Sequence, residues 1–118
     1  GTYDPQRKLK EATRQDLEYL WQDDPLQGEL EIYLYFFMQM PTSWPKKKKL
    51  RPPPHVSLPD VDNLVKFILD CANGICWKDD KQARFIKAGK YYGEPKTVME
   101  IYSAVYEALE DRDLTLNY

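Results

Sequence analysis

ELEIYLYFFMQM, residues 29–40, alternates with the two-residue period of a strand. Leu30, Ile32, Leu34, Phe36, Met38 and Met40 fall on one side and Tyr33, Tyr35 and Phe37 on the other. Because both sides are apolar or aromatic, the strand is expected to have both faces largely covered and to be central in its sheet.

Toward the N-terminus, Asp23, Asp24, Pro25 and Gly28 supply a turn. The turn is preceded by a helix that Asp4 would cap and Pro5 would start, ending near Gln22, with Leu9, Ala12, Leu17, Leu20 and Trp21 on one face. Toward the C-terminus, the stretch from Pro41 to Pro59 holds six of the nine prolines and the basic residues Lys46, Lys47, Lys48, Lys49 and Arg51, and it reads as an extended, mobile, basic loop. Val61, Leu64, Val65, Ile68 and Ala72 then form a helical stripe over 61–73, stopped by Asn73-Gly74. A strand is expected from Gln82 to Tyr92, a turn at Gly93-Glu94-Pro95 and a returning strand from Lys96 to Tyr106 with Met99, Ile101 and Val105 on one face, the pair forming a hairpin. The acidic tail 107–118 reads equally as a short helix or a packed arm, and there are no internal repeats.

A chain of 118 residues, 42% of them apolar, fits one domain with a modest core. Its most apolar run, IYLYFFM at 32–38, is too short to span a bilayer, so a soluble protein with no membrane partner is expected. Cys71 and Cys76 have neither CxxC spacing nor the histidine partners of a zinc site, which suits thiols in a reducing cytoplasm. The net charge of −2 is unevenly spread: residues 1–45 carry four basic and eight acidic side chains, residues 46–90 eleven and five, and residues 91–118 two and six. A central segment of net +6 can attract a phosphate backbone, the more so if its five aspartates bind cations.

Those five aspartates are Asp60, Asp62 and Asp70 around Lys66 in PDVDNLVKFILD, 59–70, and Asp79 and Asp80 in WKDD, 77–80. On the expected helix Asp62, Lys66 and Asp70 recur every fourth residue and share a face, and the returning loop could bring Asp79 and Asp80 near Asp60 and Asp62. One account is structural: Asp60 caps the helix, Asp62 and Asp70 pair with Lys66, and Asp79 and Asp80 are solvated turn residues. The other is a site for a hard divalent cation, because oxygen-only ligands select Mg²⁺ or Mn²⁺ and such ions suit in-line attack on a phosphodiester, with a fixed ammonium beside the scissile phosphate. An EF-hand is excluded, since no twelve-residue loop carries its glycine and terminal glutamate.

The pattern D-x-D-N-L-x-K-x-x-x-D at Asp60, Asp62, Asn63, Leu64, Lys66 and Asp70, followed by W-x-D-D-x-Q at Trp77, Asp79, Asp80 and Gln82, resembles the RusA family of Holliday junction resolvases. The outline matches over roughly residues 3–106. The resemblance implies a small α/β (α+β) domain over 1–118, with a mainly antiparallel mixed sheet packed with two helices, acting as a homodimer. It places Asp60, Asp62 and Asp80 at the family's metal-binding positions with Asp79 as a helper, and Lys66 at its essential lysine. Asn63 and Asp70 match as well, read as an orienting residue behind the ligands and as a partner for Lys66. Relatives usually open on a further strand and a DNA-contacting segment before the first helix, so an N-terminal strand is expected to be lacking here, and the acidic tail has no placeable counterpart.

The implied activity is Mg²⁺- or Mn²⁺-dependent hydrolysis of four-way DNA junctions in recombination and repair, in a bacterial or phage-encoded cytoplasmic protein. Asp60, Asp62, Lys66 and Asp80 are expected to carry the chemistry, and Lys46–Lys49 and Arg51 to hold backbone phosphates without sequence preference. Paired cuts in strands of like polarity need two sites, which suits a two-fold dimer, with the aromatic strand 33–37 as a candidate contact. The alternatives are a non-catalytic junction-binding module and a nuclease of broader branched-DNA or flap specificity. Trp77 is read as a core or interface aromatic, Tyr91 and Tyr92 as cover for the sheet, Trp44 as an anchor for the proline loop and His55 as a loop side chain.

Overall fold

The computed structural model describes residues 5–103 and 112–117. In chain order its elements are α1 (Arg7–Trp21), β1 (Leu30–Met38), α2 (Lys46–Leu50), α3 (Val61–Ala72), a 3₁₀ turn (Asp80–Gln82), β2 (Ala83–Tyr92), β3 (Lys96–Ser103) and β4 (Arg112–Leu116). The sheet order is β2-β1-β3-β4, with β1 parallel to β2 and antiparallel to β3, and β3 antiparallel to β4. The fold is α+β, and β1 is an inner strand as its alternation predicts.

The expected hairpin is not formed. Although only Gly93, Glu94 and Pro95 separate β2 from β3, β1 lies between them and pairs with both. The short link crosses the end of β1, where Gly93 N donates to Met38 O at 2.9 Å and a Cβ on Gly93 would stand 3.2 Å from the Phe37 ring. A doubly apolar strand finds hydrogen-bond partners on both edges in this way, and α3 belongs to the long crossover that parallel pairing of β1 with β2 requires.

The core lies on one face only. Leu30, Ile32, Leu34 and Phe36 of β1 are buried with Met99 and Ile101 of β3 and Leu114 and Leu116 of β4, under Leu17 and Trp21 of α1 and Ile68, Cys71 and Ala72 of α3. Trp77 is fully buried there as well, and its indole N–H donates to Asn73 Oδ1 at 2.7 Å. The opposite face of the sheet carries no buried residue among those described, which corrects the expectation of two covered faces. There Tyr33 packs against Tyr102 and Phe85, with ring centroids 5.3 and 5.7 Å away, and Phe37 against Tyr91 at 5.6 Å. The rings shield one another sideways, and the Tyr102 hydroxyl donates to Glu100 Oε2 at 2.9 Å.

α1 differs from its reading in the same sense. Its buried face is Thr13, Leu17 and Trp21, whereas Leu9, Ala12 and Leu20 are exposed. The three-residue stripe 13-17-21, spaced every fourth position, meets the sheet and α3, leaving no room for an apolar arc as wide as the one inferred. Asp4, expected to cap this helix, lies outside the described residues, as do Val105 and the expected end of the returning strand. Of the acidic tail, Arg112–Leu116 forms an edge strand, which is the packed arm for these residues, while 107–111 and 118 lie outside the described residues. α3 ends as expected: Asn73 N donates to Leu69 O at 3.2 Å and Gly74 turns the chain at φ +80°. Both cysteines are free and buried, and burial pushes the Cys76 thiol up to about 12. No helix among the described residues is long and apolar enough to cross a membrane.

Candidate functional site

The basic run is not extended. Pro45 sets φ −65° at a helix entrance, and Lys46–Leu50 follow as α2. Lys46, Lys47, Lys48 and Arg51 are exposed, with the Lys48 ammonium 4.2 Å from the centre of the Trp44 ring and Lys49 Nζ 3.4 Å from Thr42 O. Trp44 in turn packs edge-on against Tyr92 at 4.8 Å, and the ring of His55 lies 4.5 Å from the same tyrosine. The proline loop is therefore anchored at the end of β2, with Trp44 in the role expected of it. His55 is a loop side chain with its Nδ1 buried and unpartnered, and burial, followed by the charge of Lys90, holds its pKa below the ordinary value.

At the α3 entrance Asp60 takes the extended backbone of a helix cap, but its carboxylate makes no capping bond. Asp62 follows in the first turn, and both residues are exposed. Lys66 forms no ion pair with Asp62 or Asp70, and Asp70 instead faces Lys10 of α1 at 3.9 Å. The partner expected for Asp70 is thereby corrected: α1 crosses α3 here and brings a lysine to Asp70 from outside the helix. Asn63, Lys66 and Asp70 do share one cleft of about 420 Å³, lined also by Gln6, Lys10, Pro59 and Phe67.

Asp79 and Asp80 stand elsewhere. Asp79 caps the 3₁₀ turn, its Oδ1 accepting from Lys81 N at 2.9 Å, while Gln82 Oε1 accepts from Lys78 N at 2.9 Å and Asp79 N at 3.0 Å. The Gln82 amide nitrogen donates to Leu26 O at 3.0 Å and Gly28 O at 2.8 Å, tying the turn to the segment before β1. This turn opens β2, whereas Lys90, near the far end of β2, reaches Ser57 O at 2.6 Å and Pro59 O at 2.8 Å beside Asp60. The two acidic stretches thus lie at opposite ends of the twelve-residue α3, whose rise is about 18 Å. The loop does not return Asp79 and Asp80 to Asp60 and Asp62 within one chain. Among the described residues no group of three or more His, Cys, Asp or Glu side chains could hold a metal ion.

Three structural residues carry no role in the sequence reading. Gln82 was legible as a motif letter only, and Lys90 as one cation of a strand. Arg14 of α1 donates through Nη1 to Cys71 O and Asn73 O, both at 2.9 Å, satisfying carbonyls at the end of α3. The available signal was general: helix ends and proline-rich segments leave carbonyls that need donors from elsewhere in the chain.

These features define a small α+β domain that presents an acid-and-lysine helix face next to a basic, proline-rich segment. The profile of the Endodeoxyribonuclease RusA family matches residues 2–102, and the chain belongs to that family. Among curated proteins it is similar to "Uncharacterized protein YqaN" of Bacillus subtilis (strain 168), with 34% identity over 79 residues, 63% of this chain and 54% of that protein. The chain spans about half the length of that curated relative. No solved structure matches it.

Proposed function

We propose that the chain is a structure-specific endodeoxyribonuclease that resolves four-way DNA junctions by paired phosphodiester hydrolysis, acting as a homodimer with Mg²⁺ or Mn²⁺. The observation that carries this reading is that the groups a purely structural account would use up are left unused. Asp60 stands at a cap position without capping, and Lys66 stands one turn from Asp62 and from Asp70 without pairing to either. Surface carboxylates and lysines at this spacing ordinarily pair at little cost, so leaving them open suits a ligand that they meet together.

The donor set suits a hard cation chemically, being carboxylate oxygen throughout, but one chain divides it between two places. Asp60 and Asp62 would hold such an ion at the α3 entrance. With Asp79 and Asp80 at the far end of the helix, a two-fold dimer is the assembly in which the acidic turn of one copy can complement the entrance of the other. A divalent ion bound there supplies charge neutralisation and a more acidic water. Lys66 places an ammonium beside the reacting phosphate and stabilises negative charge as it grows on the oxygens. Lys46–Lys49 and Arg51, on a segment docked next to Asp60, hold the flanking phosphates.

The test is strand nicking of a synthetic four-way junction in Mg²⁺, Mn²⁺ or EDTA. The parent chain is expected to cut in metal alone, and Asp62→Asn to cut about 100-fold more slowly while still binding the junction. A parent that binds junctions and never cuts is a binding module. One that cuts forks and flaps as readily is a nuclease of broader specificity.

A further inference from the structure

The stretch RPPPHVSLPD, residues 51–60, carries one end of the basic segment into the α3 entrance. Pro52, Pro53, Pro54 and Pro59 have no backbone N–H, and the stretch belongs to neither helix nor strand. It cannot hold itself in place by a hydrogen-bond ladder, and its carbonyls must find donors elsewhere. Two of them find the same one: Lys90 Nζ lies 2.6 Å from Ser57 O and 2.8 Å from Pro59 O. Bonds from an ammonium at such distances are charge-assisted and stronger than amide–carbonyl bonds.

The geometry points to Lys90 as a positioning residue for Asp60. Pro59 C=O belongs to the peptide unit whose nitrogen is that of Asp60, so holding that oxygen fixes the plane from which Asp60 departs. The Asp60 side chain makes no capping bond, which leaves its aim to the backbone. Lys90 is a fixed reference, since it pairs with Phe36 of the central strand, and Phe36 is buried in the core. Two residues on, on the same face of β2, Tyr92 packs against Trp44 and His55 of the same loop. One strand end thus sets where both the lysine-bearing segment and the first acid of the motif stand, with the ammonium of Lys90 acting on the acid and the ring of Tyr92 on the segment.

The catalytic consequence rests on the nuclease reading above, whereas the clamp itself does not, and the experiment separates the two. Lys90→Met keeps most of the stem and removes the ammonium, and Lys90→Arg keeps charge and donors. For each, backbone ¹⁵N order parameters of residues 57–62, junction Kd in EDTA and single-turnover cleavage are measured against the parent. In Lys90→Met, order parameters at 57–62 are expected to fall, cleavage to slow by about 10-fold or more, and Kd to stay within about threefold because Tyr92 still anchors the basic segment. Lys90→Arg is expected to restore most of the order and of the rate. A purely structural lysine would lower Tm and leave cleavage per folded molecule unchanged, and that result overturns the proposal, as do unaltered order parameters at 57–62. If the parent cuts no junction at all, the nuclease reading fails and the order-parameter comparison alone decides the clamp. Should Lys90→Met not fold, Lys90→Gln, which retains an N–H donor without the charge, is read by the same measurements.

Discussion

The two acidic stretches of this chain are held in opposite ways. The turn at 77–82 is internally satisfied: Asp79 caps it, Gln82 bonds twice within it and twice to the segment before β1, and Trp77 roots it in the core. The α3 entrance is held from outside by Lys90, and its own acids are bonded to nothing that fixes them. Side chains that a fold uses for its own stability are poorly placed to meet a ligand, whereas exposed side chains that it leaves unbonded are solvated and remain available to one. By this measure Asp60 and Asp62 are left open by the fold, whereas Asp79 is used by it.

The comparison breaks most sharply at Asp60. Asp60→Asn is expected to slow junction cleavage by about 100-fold while changing stability by less than about 0.5 kcal/mol, because no folded-state bond of the carboxylate is lost. Parallel measurement of cleavage and Tm decides it. If Tm drops while the rate per folded molecule holds, Asp60 is a helix cap and the contrast between the two stretches disappears.

Gln82 is the converse case. Gln82→Leu removes four hydrogen bonds at a half-buried position, and Tm is expected to fall by about 5–10 °C, read by thermal denaturation. A variant as stable as the parent would show that Trp77 and the Asp79 cap hold the turn without Gln82.

What was legible follows from the range of the interactions involved. β1, α3 and the Gly74 stop could be read because alternation, a helical stripe and a left-handed turn are written in neighbouring residues. The insertion of β1 between β2 and β3 was not, since a three-residue link looks the same whether the strands it joins pair with each other or straddle a third. The lysine run folded as α2 because Pro45 starts a helix as readily as it extends a loop, a choice settled by the docking of Trp44 on Tyr92. At the site the motif letters were plain, but their placement was not. Which acids stand free depends on Lys10 reaching Asp70 from another helix and on Lys90 reaching Pro59 from a strand, and no local spacing records either contact.

The smallest effect expected is also the most local. His55 is the single histidine of the chain, and in the docked loop its ring lies against Tyr92 with Nδ1 buried. Burial first and the neighbouring Lys90 charge second lower its pKa from 6.5, so the docked loop prefers the neutral ring. A lowered folded-state pKa means that this contribution is fully present above the unfolded value and is lost as pH falls through the folded one. Acid should therefore loosen the loop that Lys90 and Tyr92 hold, while the turn at 77–82, which contains no histidine, is unaffected. An NMR titration follows the ring protons of His55 without ambiguity, and a midpoint below 6.5 is expected. The backbone resonances of 55–58 should shift with that midpoint, whereas those of 77–82 should not. A midpoint at or above 6.5 would mean that the ring is solvated rather than docked, and the outside hold on the α3 entrance would then rest on Lys90 without help from His55.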